Sequence, residues 1–564
     1  MAGGWSRCAG RLRVAFVLHW LPALWFAVNF AIFWWNYTNF KKKPQHIYLR
    51  SMIGRGLCIS KATAAMLNLS CCLVLLPVCR SVSCALHHIL GRLSRSALTF
   101  WLERTKVIHM ACAVTIVIAS VVHTIAHVIN AINFSRYYDH EHLELNWAKY
   151  EGQNPVEMIF SSVAGLTGVA MVLVLTLLAS TSLRCVRRAH YQLFWATHFL
   201  FLPFLLLLLC HPLSEVLKEL ANPDTHVPGC IMMSKLNGTD TSEKPQCTSD
   251  PVFIPMKSQG WLWITPPLIL YGLDQLLRLM RRNRQHLYVV QATRLPGSAV
   301  HLVLESPGRD FNCQPGQFIL LQCPIISTIE WHPFTVSSCP TSSQPNLSIL
   351  IRARGDWTEE LLGRVLVPFS HTQHTVELCR WPSPQPVRFL VDGPFRSPLE
   401  GVLHTAVAVC IAAGVGITPF SAALDHLLTC STLPERPQHL HLVWLLRDPR
   451  QLVWFADLLC AVHKKLWFAN YPDRLEFRIH LTRGFRSVNL ENILEDKHSI
   501  LRQRLWRGRP NWIEMFHQWR TMYHRQAVSV FACGPKSLSK EIRKHCIKSN
   551  QQGASFSFTH EAYS

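Results

Sequence analysis

Acidic side chains are scarce in this sequence. Its 34 Asp and Glu stand against 56 Lys and Arg, a formal charge of +22 over 564 residues. Such an excess suits nucleic acid when the cations share one face, but here they gather in short clusters beside apolar runs, so no nucleic-acid partner is expected. No D-x-D-x-D-G loop occurs, which argues against calcium gating. The first apolar run is long and lacks a small-residue cleavage site after it, so no removable signal peptide is expected. Cysteine is plentiful, at 20 residues, yet only Cys230 and Cys247 share a segment expected outside the membrane, which makes them the disulfide candidates.

What the chain does have is apolar length, with 49% hydrophobic residues concentrated in the first half. Six runs are long enough to span a bilayer as helices: 14–35, 56–78, 107–132, 158–180, 191–209 and 261–277. Arginine clusters lie before the first, between the second and third, between the fourth and fifth, and after the sixth. By the positive-inside rule those segments and both termini are cytosolic, with Lys41, Lys42 and Lys43 the exception. Lipid is thus the first partner expected. Asn133 and Asn237 are glycosylation sequons on the outer side. Gly165 and Gly168 in the fourth run suit close helix packing.

Two of these runs carry histidines, and an ionisable group at membrane depth is costly enough to suggest function. His109 and His123 are fourteen residues apart in the third run, and His198 and His211 thirteen apart in the fifth. Either separation is roughly 20 Å along a helix. Two such helices side by side offer one histidine pair near each membrane face, and each pair could hold a haem iron. A fourteen-residue step returns to within about 40° of its face, whereas thirteen residues miss by about 140°. A local irregularity is therefore expected between His198 and His211, with Pro203 a candidate cause. The rival reading makes these histidines polar glue between helices or a proton path.

His127, one turn beyond His123, completes the third run. Lys61 lies at membrane depth in the second, either snorkelling to the nearer interface or pairing with a haem propionate or tuning the haem potential. The outer loop, 212–260, contains His226, which could donate protons to chemistry at the outer surface.

Beyond Arg284 the pattern changes to short strands with turn signals, which suggests a small antiparallel barrel. His332-Pro333-Phe334-Thr335 sits between its third and fourth strands, and Gly355-Asp356-Trp357-Thr358 opens a helix after the fourth. From Thr405, apolar strands alternate with helices, implying an open parallel sheet. Its first strand ends in Gly414-Val415-Gly416-Ile417-Thr418-Pro419, and a later one ends in Cys533-Gly534-Pro535. Glycine turns at strand ends let backbone N–H groups approach a pyrophosphate at a helix N-terminus.

Taken in order, these motifs resemble the NADPH oxidase family over nearly the whole chain, most like its type-four branch. The further motifs are Ile351-Arg352-Ala353-Arg354-Gly355-Asp356-Trp357-Thr358, Gly508-Arg509-Pro510-Asn511-Trp512, the outer-loop Thr225-His226-Val227-Pro228-Gly229-Cys230 and the terminal Tyr563-Ser564. The resemblance implies a multi-domain protein. Residues 1–284 would form a six-helix transmembrane ferric-reductase-like bundle. Residues 285–400 would form an FAD-binding antiparallel β-barrel, and 401–564 an NADPH-binding α/β domain, together a ferredoxin-reductase-like dehydrogenase. It implies two haem b groups, the inner held by His109 and His198 and the outer by His123 and His211. Oxygen reduction would take place near His127 and Lys61. His332, Pro333, Phe334 and Thr335 would contact FAD, Arg352 its pyrophosphate, and Gly355, Trp357 and Thr358 would be further cofactor-binding residues. Gly414, Gly416, Thr418, Pro419, Cys533, Gly534 and Pro535 would cradle NADPH, Arg447 and Arg509 would grip its 2′-phosphate, and Tyr563 would cover the flavin ring.

It also implies hydrogen peroxide as the chief product beside superoxide, constitutive activity, and pairing with the small membrane subunit of the phagocyte cytochrome b. The compartment would be the endoplasmic reticulum or plasma membrane. The chain departs from the family pattern at Lys61, Arg396 and Leu446. The rival activities are a ferric-chelate reductase and a membrane proton channel with a vestigial dehydrogenase.

Overall fold

The structure is a computed structural model that describes residues 2–79, 95–214, 216–232, 246–282, 286–306, 311–328, 330–341, 344–366, 378–380, 387–483, 493–524, 526–552 and 555–561. It divides into two compact units, one comprising 15–83 and 104–274, the other 1–14, 84–103 and 275–564.

Four helices of the described residues are long and apolar enough to cross a membrane: Arg55–Val78, Thr105–Arg136, Val163–Ser182 and Tyr191–Leu213. They match the second to fifth expected runs. Their outward faces are apolar, with Ile118 61% and Leu173 63% exposed, as a lipid-facing surface requires. The first and sixth runs are also helical, within Ala2–Lys42 and Gly260–Arg282. The last helix carries Asp274, Arg278, Arg281 and Arg282 and two internal prolines, which lower its apolar character.

The expected irregularity is present. Tyr191–His198 and Phe201–Cys210 are separate helices, broken at Phe199 and Leu200. Pro203 has no N–H to offer the Phe199 carbonyl four residues back. Leu202 N takes that carbonyl instead at 3.1 Å, and Leu200 N bonds Thr197 at 3.0 Å, both tight i−3 bonds.

On the same unit, Ile47–Ile53, Leu143–Leu145 and the paired strands Lys218–Leu220 and Phe253–Pro255 enclose a small core of Leu49, Ile53, Leu57, Phe134, Leu145 and Met158. The Asn133 amide donates to the Ile53 carbonyl at 3.2 Å from within its helix, and Asn237 lies outside the described residues.

In the other unit, six antiparallel strands close into a ring: His286–Leu295, Arg388–Phe395, Phe318–Gln322, His332–Ser338, Leu347–Arg352 and Ala299–Glu305, the last pairing back to the first. Leu378–Arg380 adds an edge. The expected barrel is there, but the His332 motif is itself a strand rather than a connection. A parallel sheet follows, ordered Leu505–Arg507, Leu475–Leu481, His439–Leu446, Val407–Ala413, Ala527–Cys533 and Ser555–Glu561. Its outermost strands were missed in the sequence because 505–507 is short and 555–561 alternates polar residues. Val407 to Ala412 are all fully buried, which explains their unbroken apolar run.

Candidate functional site

The two helical histidine pairs come together as the spacing required. The ring centroids of His109 and His198 are 6.3 Å apart, and those of His123 and His211 6.4 Å. Two metal–imidazole bonds of about 2 Å, plus a ring radius of roughly 1.1 Å on each side, come to about 6 Å. Each pair therefore brackets the space of one metal atom.

The second nitrogens support the same use. His109 Nδ1 lies 3.0 Å from the Val74 carbonyl and His123 Nδ1 3.0 Å from that of Ser60. A carbonyl only accepts, so both Nδ1 atoms carry the proton and leave Nε2 free to ligate. His211 Nδ1 is 3.0 Å from Thr167 Oγ1, whose own proton goes to the Val163 carbonyl at 2.6 Å. Thr167 thus accepts from His211. His198 Nδ1 is buried without a hydrogen-bond partner among the described residues. Sequence reasoning missed Ser60, Thr167 and Thr63, whose Oγ1 lies 3.1 Å from His123 Nδ1; hydroxyls inside apolar runs were the signal available.

His127 meets His123 edge-on at 4.5 Å. Lys61 lies on the neighbouring helix with Nζ 6.0 Å from the Phe40 ring centroid. His226 is 9% exposed, with Nδ1 2.9 Å from the Ser249 carbonyl and Nε2 2.7 Å from the Tyr48 hydroxyl. The Cys230–Cys247 disulfide is formed beside it. The two sulfurs and one His226 ring nitrogen lie within 4.8 Å of one another, but sulfurs bonded to each other are not thiolate ligands.

In the barrel, His332 stacks on Trp357 at 4.2 Å and Phe334 on the same indole at 6.0 Å. Thr335 is buried, while Pro333 and Arg352 are exposed. Glu330 accepts from His332 at 3.1 Å. The helix Asp356–Val365 starts at Gly355, where Thr358 Oγ1 accepts from the backbone N–H of Arg354 and Gly355 at 2.9 and 3.1 Å. Trp357 Nε1 is buried with no partner among the described residues. An aromatic shelf beside a helix N-terminus fits a flat ring with a phosphate tail.

The parallel sheet joins its two glycine turns at the topological switch point, between Val407–Ala413 and Ala527–Cys533. A Cβ on Gly416 would fall 2.3 Å from the Cys533 carbonyl oxygen, and one on Gly534 2.9 Å from Ala413 Cβ. Gly414 has φ +55°, and its carbonyl accepts from Trp444 Nε1 at 3.0 Å. Thr418 and Pro419 begin the helix Thr418–Thr429. Arg447 and Arg509 are exposed, just past two further strands at the same carboxyl edge. Such an edge is where open parallel sheets bind nucleotides. Leu446 is fully buried, so this departure from the family pattern serves packing. Tyr563 lies outside the described residues.

Comparison with known proteins agrees with this arrangement. Residues 61–209 match the family model described as a ferric reductase like transmembrane component, 284–398 an FAD-binding domain, and 405–547 a ferric reductase NAD binding domain. NADPH oxidase 4 of Homo sapiens is 35% identical, over 97% of this chain and 98% of its own. The Mus musculus protein of that name is 34% identical with the same coverage, and NADPH oxidase 1 of Rattus norvegicus 31%, over 94% and 96%. Among solved structures, a flavohemoglobin from Malassezia yamatoensis covers 89% of this chain and 98% of its own at 14% identity, with a TM-score of 0.35, too slight a likeness to bear on the fold. With identity at this level along almost its full length, and with FAD- and NAD-binding domains behind a transmembrane one, the chain belongs to the NADPH oxidase family.

Proposed function

We propose that this transmembrane NADPH oxidase holds two b-type haems between its histidine pairs, His109 with His198 towards the cytosol and His123 with His211 towards the outer face. When bound, these groups together with FAD and NADPH supply the electron transfer that ends on molecular oxygen. The chain's own residues hold, orient and protonate. Val74, Ser60 and Thr167 fix the ring orientation of three of the four histidines. His127 and Lys61 supply polar contacts where oxygen is reduced.

On the cytosolic side His332, Pro333, Phe334 and Thr335 position the flavin. Arg352, Gly355, Trp357 and Thr358 hold its pyrophosphate end, and Tyr563 covers the ring. Gly414, Gly416, Thr418, Pro419, Cys533, Gly534 and Pro535 admit the nucleotide phosphates, and Arg447 and Arg509 select the 2′-phosphate by their planar forks. The chain is oriented with termini and dehydrogenase in the cytosol, in the endoplasmic reticulum or plasma membrane. It pairs with the small membrane subunit of the phagocyte cytochrome b. Hydrogen peroxide is the chief product, because the disulfide-tied outer loop with His226 retains superoxide and protonates it.

The observation that carries this reading is the pair of histidine gaps at 6.3 and 6.4 Å. The test is reduction of the purified protein by NADPH under nitrogen, then admission of oxygen. Sharp reduced bis-histidine bands should grow in and vanish with oxygen uptake, without added iron. Absence of those bands, or reoxidation only on adding a ferric chelate, would refute it. For the product, His226→Ala should raise superoxide at the expense of peroxide.

A further inference from the structure

Tyr48, in the outer segment Ile47–Ile53, is placed between two histidines. Its hydroxyl is 2.7 Å from His226 Nε2. Its ring meets His142 edge-on at 5.0 Å and Phe253 at 5.2 Å. His142 is backed by Asp139, with Nδ1 3.1 Å from Oδ2. The Ser249 carbonyl holds His226 Nδ1, and since a carbonyl only accepts, the proton of the neutral ring sits on Nδ1. Nε2 then accepts from the Tyr48 hydroxyl. Buried, with both nitrogens engaged, His226 has no free N–H to offer an ion arriving from the membrane side. Tyr48 is only half-buried, and among the described residues its oxygen is the one protein atom bonded to Nε2.

We propose that Tyr48 is the catalytic relay through which His226 delivers protons during peroxide formation. This rests on the peroxide-forming role assigned above to the outer loop. The ring takes its second proton from outer water by way of the Tyr48 hydroxyl. When superoxide is present, the Tyr48 O–H bond breaks towards it while Nε2–H passes its proton to the Tyr48 oxygen, which leaves tyrosine neutral and the imidazole neutral. The hydroperoxyl radical so formed reacts with a second superoxide and a proton to give hydrogen peroxide and oxygen. No electron crosses the Tyr48–His226 pair. Burial pushes the Tyr48 phenol up from its ordinary value, and the Asp139 and Glu141 carboxylates push it the same way. A hydroxyl so held passes a proton on only as it receives another, as a relay requires.

Tyr48→Phe keeps the ring contacts and removes only the hydroxyl. In the full-length enzyme in membranes it should lose most of its peroxide yield, with a matching gain in superoxide and unchanged haem content. Cys230 and Cys247 should stay protected from thiol reagents, which reports an intact loop. The His226→Ala variant should behave alike and the double variant no worse. Peroxide yield of the parent enzyme should fall in heavy water, and that sensitivity should vanish in Tyr48→Phe. If His226→Ala shifts the product and Tyr48→Phe does not, the relay is wrong and the loop's role stands. If neither shifts it, both are wrong. Exposure of the two cysteines, or retained isotope sensitivity, in Tyr48→Phe would assign the residue to packing and overturn the proposal.

Discussion

A methyl group on Gly416 would stand 2.3 Å from the carbonyl oxygen of Cys533. The two turns at the mouth of the parallel sheet are therefore fitted to each other as well as to a ligand. Gly416→Ala must push them apart, and NADPH affinity should fall by at least about tenfold, as about 1.4 kcal/mol of misfit implies. Gly414→Ala meets no atom within 4 Å and strains only its φ of +55°, so it should be milder. Titration of NADPH against flavin reduction in both variants checks the order.

Arg278 and Asp392 form a second close relationship, inside the dehydrogenase unit. Nε and Nη2 both donate to Oδ2, at 2.9 and 2.7 Å, with side chains 10% and 2% exposed. Removing one partner strands a buried charge, so Asp392→Asn should destabilise the protein by about 3–5 kcal/mol. Replacing both residues with apolar ones should recover much of that. Thermal unfolding followed by flavin release is the measurement.

Thr167 accepts a hydrogen bond from the ring of His211. Thr167→Val keeps the shape and deletes the acceptor. Two haems per chain should remain, while the outer one changes its reduction potential because its ligand is less basic and less firmly oriented. His211→Leu, by contrast, should lose one haem. Redox titration with haem quantification separates the two results.

Glu476 makes part of the dehydrogenase acid-sensitive. Hydrogen bonds from His441 and then Arg478 hold its carboxyl down at about 2. An unfolded glutamate has a pKa of about 4.3, so between those values the unfolded state binds more protons and stability falls as pH drops. The contribution, on the order of 2 kcal/mol after allowing for partial exposure, is complete above about pH 5 and fades towards about pH 2. Glu476→Gln should flatten that slope, read as amide exchange in His439–Leu446 and Leu475–Leu481 at about pH 5 and about pH 3.

Much of this protein could be read from its residues in a line. Apolar length named the four central helices, histidine separation named the pairs, and the proline at 203 located the break. Glycine turns after apolar strands marked the nucleotide edge. These features are local: they depend on helix pitch, on a missing N–H, or on side-chain size, and none needs a distant partner to be legible.

Tertiary packing decided the rest. That the His332 motif is a strand follows from its pairing with Phe318–Gln322, which its own residues do not announce. The sequence offers His226 as a proton donor in the outer loop, but only contacts to Tyr48 and Ser249, 178 and 23 residues away, bury it and assign its tautomer. The orientation of His123 and His211 likewise depends on Ser60 and Thr167, one on each of two other helices. Periodicity says which face a residue takes along its own helix or strand. Which polar atom waits on the other side of the gap is set only when the chain closes on itself.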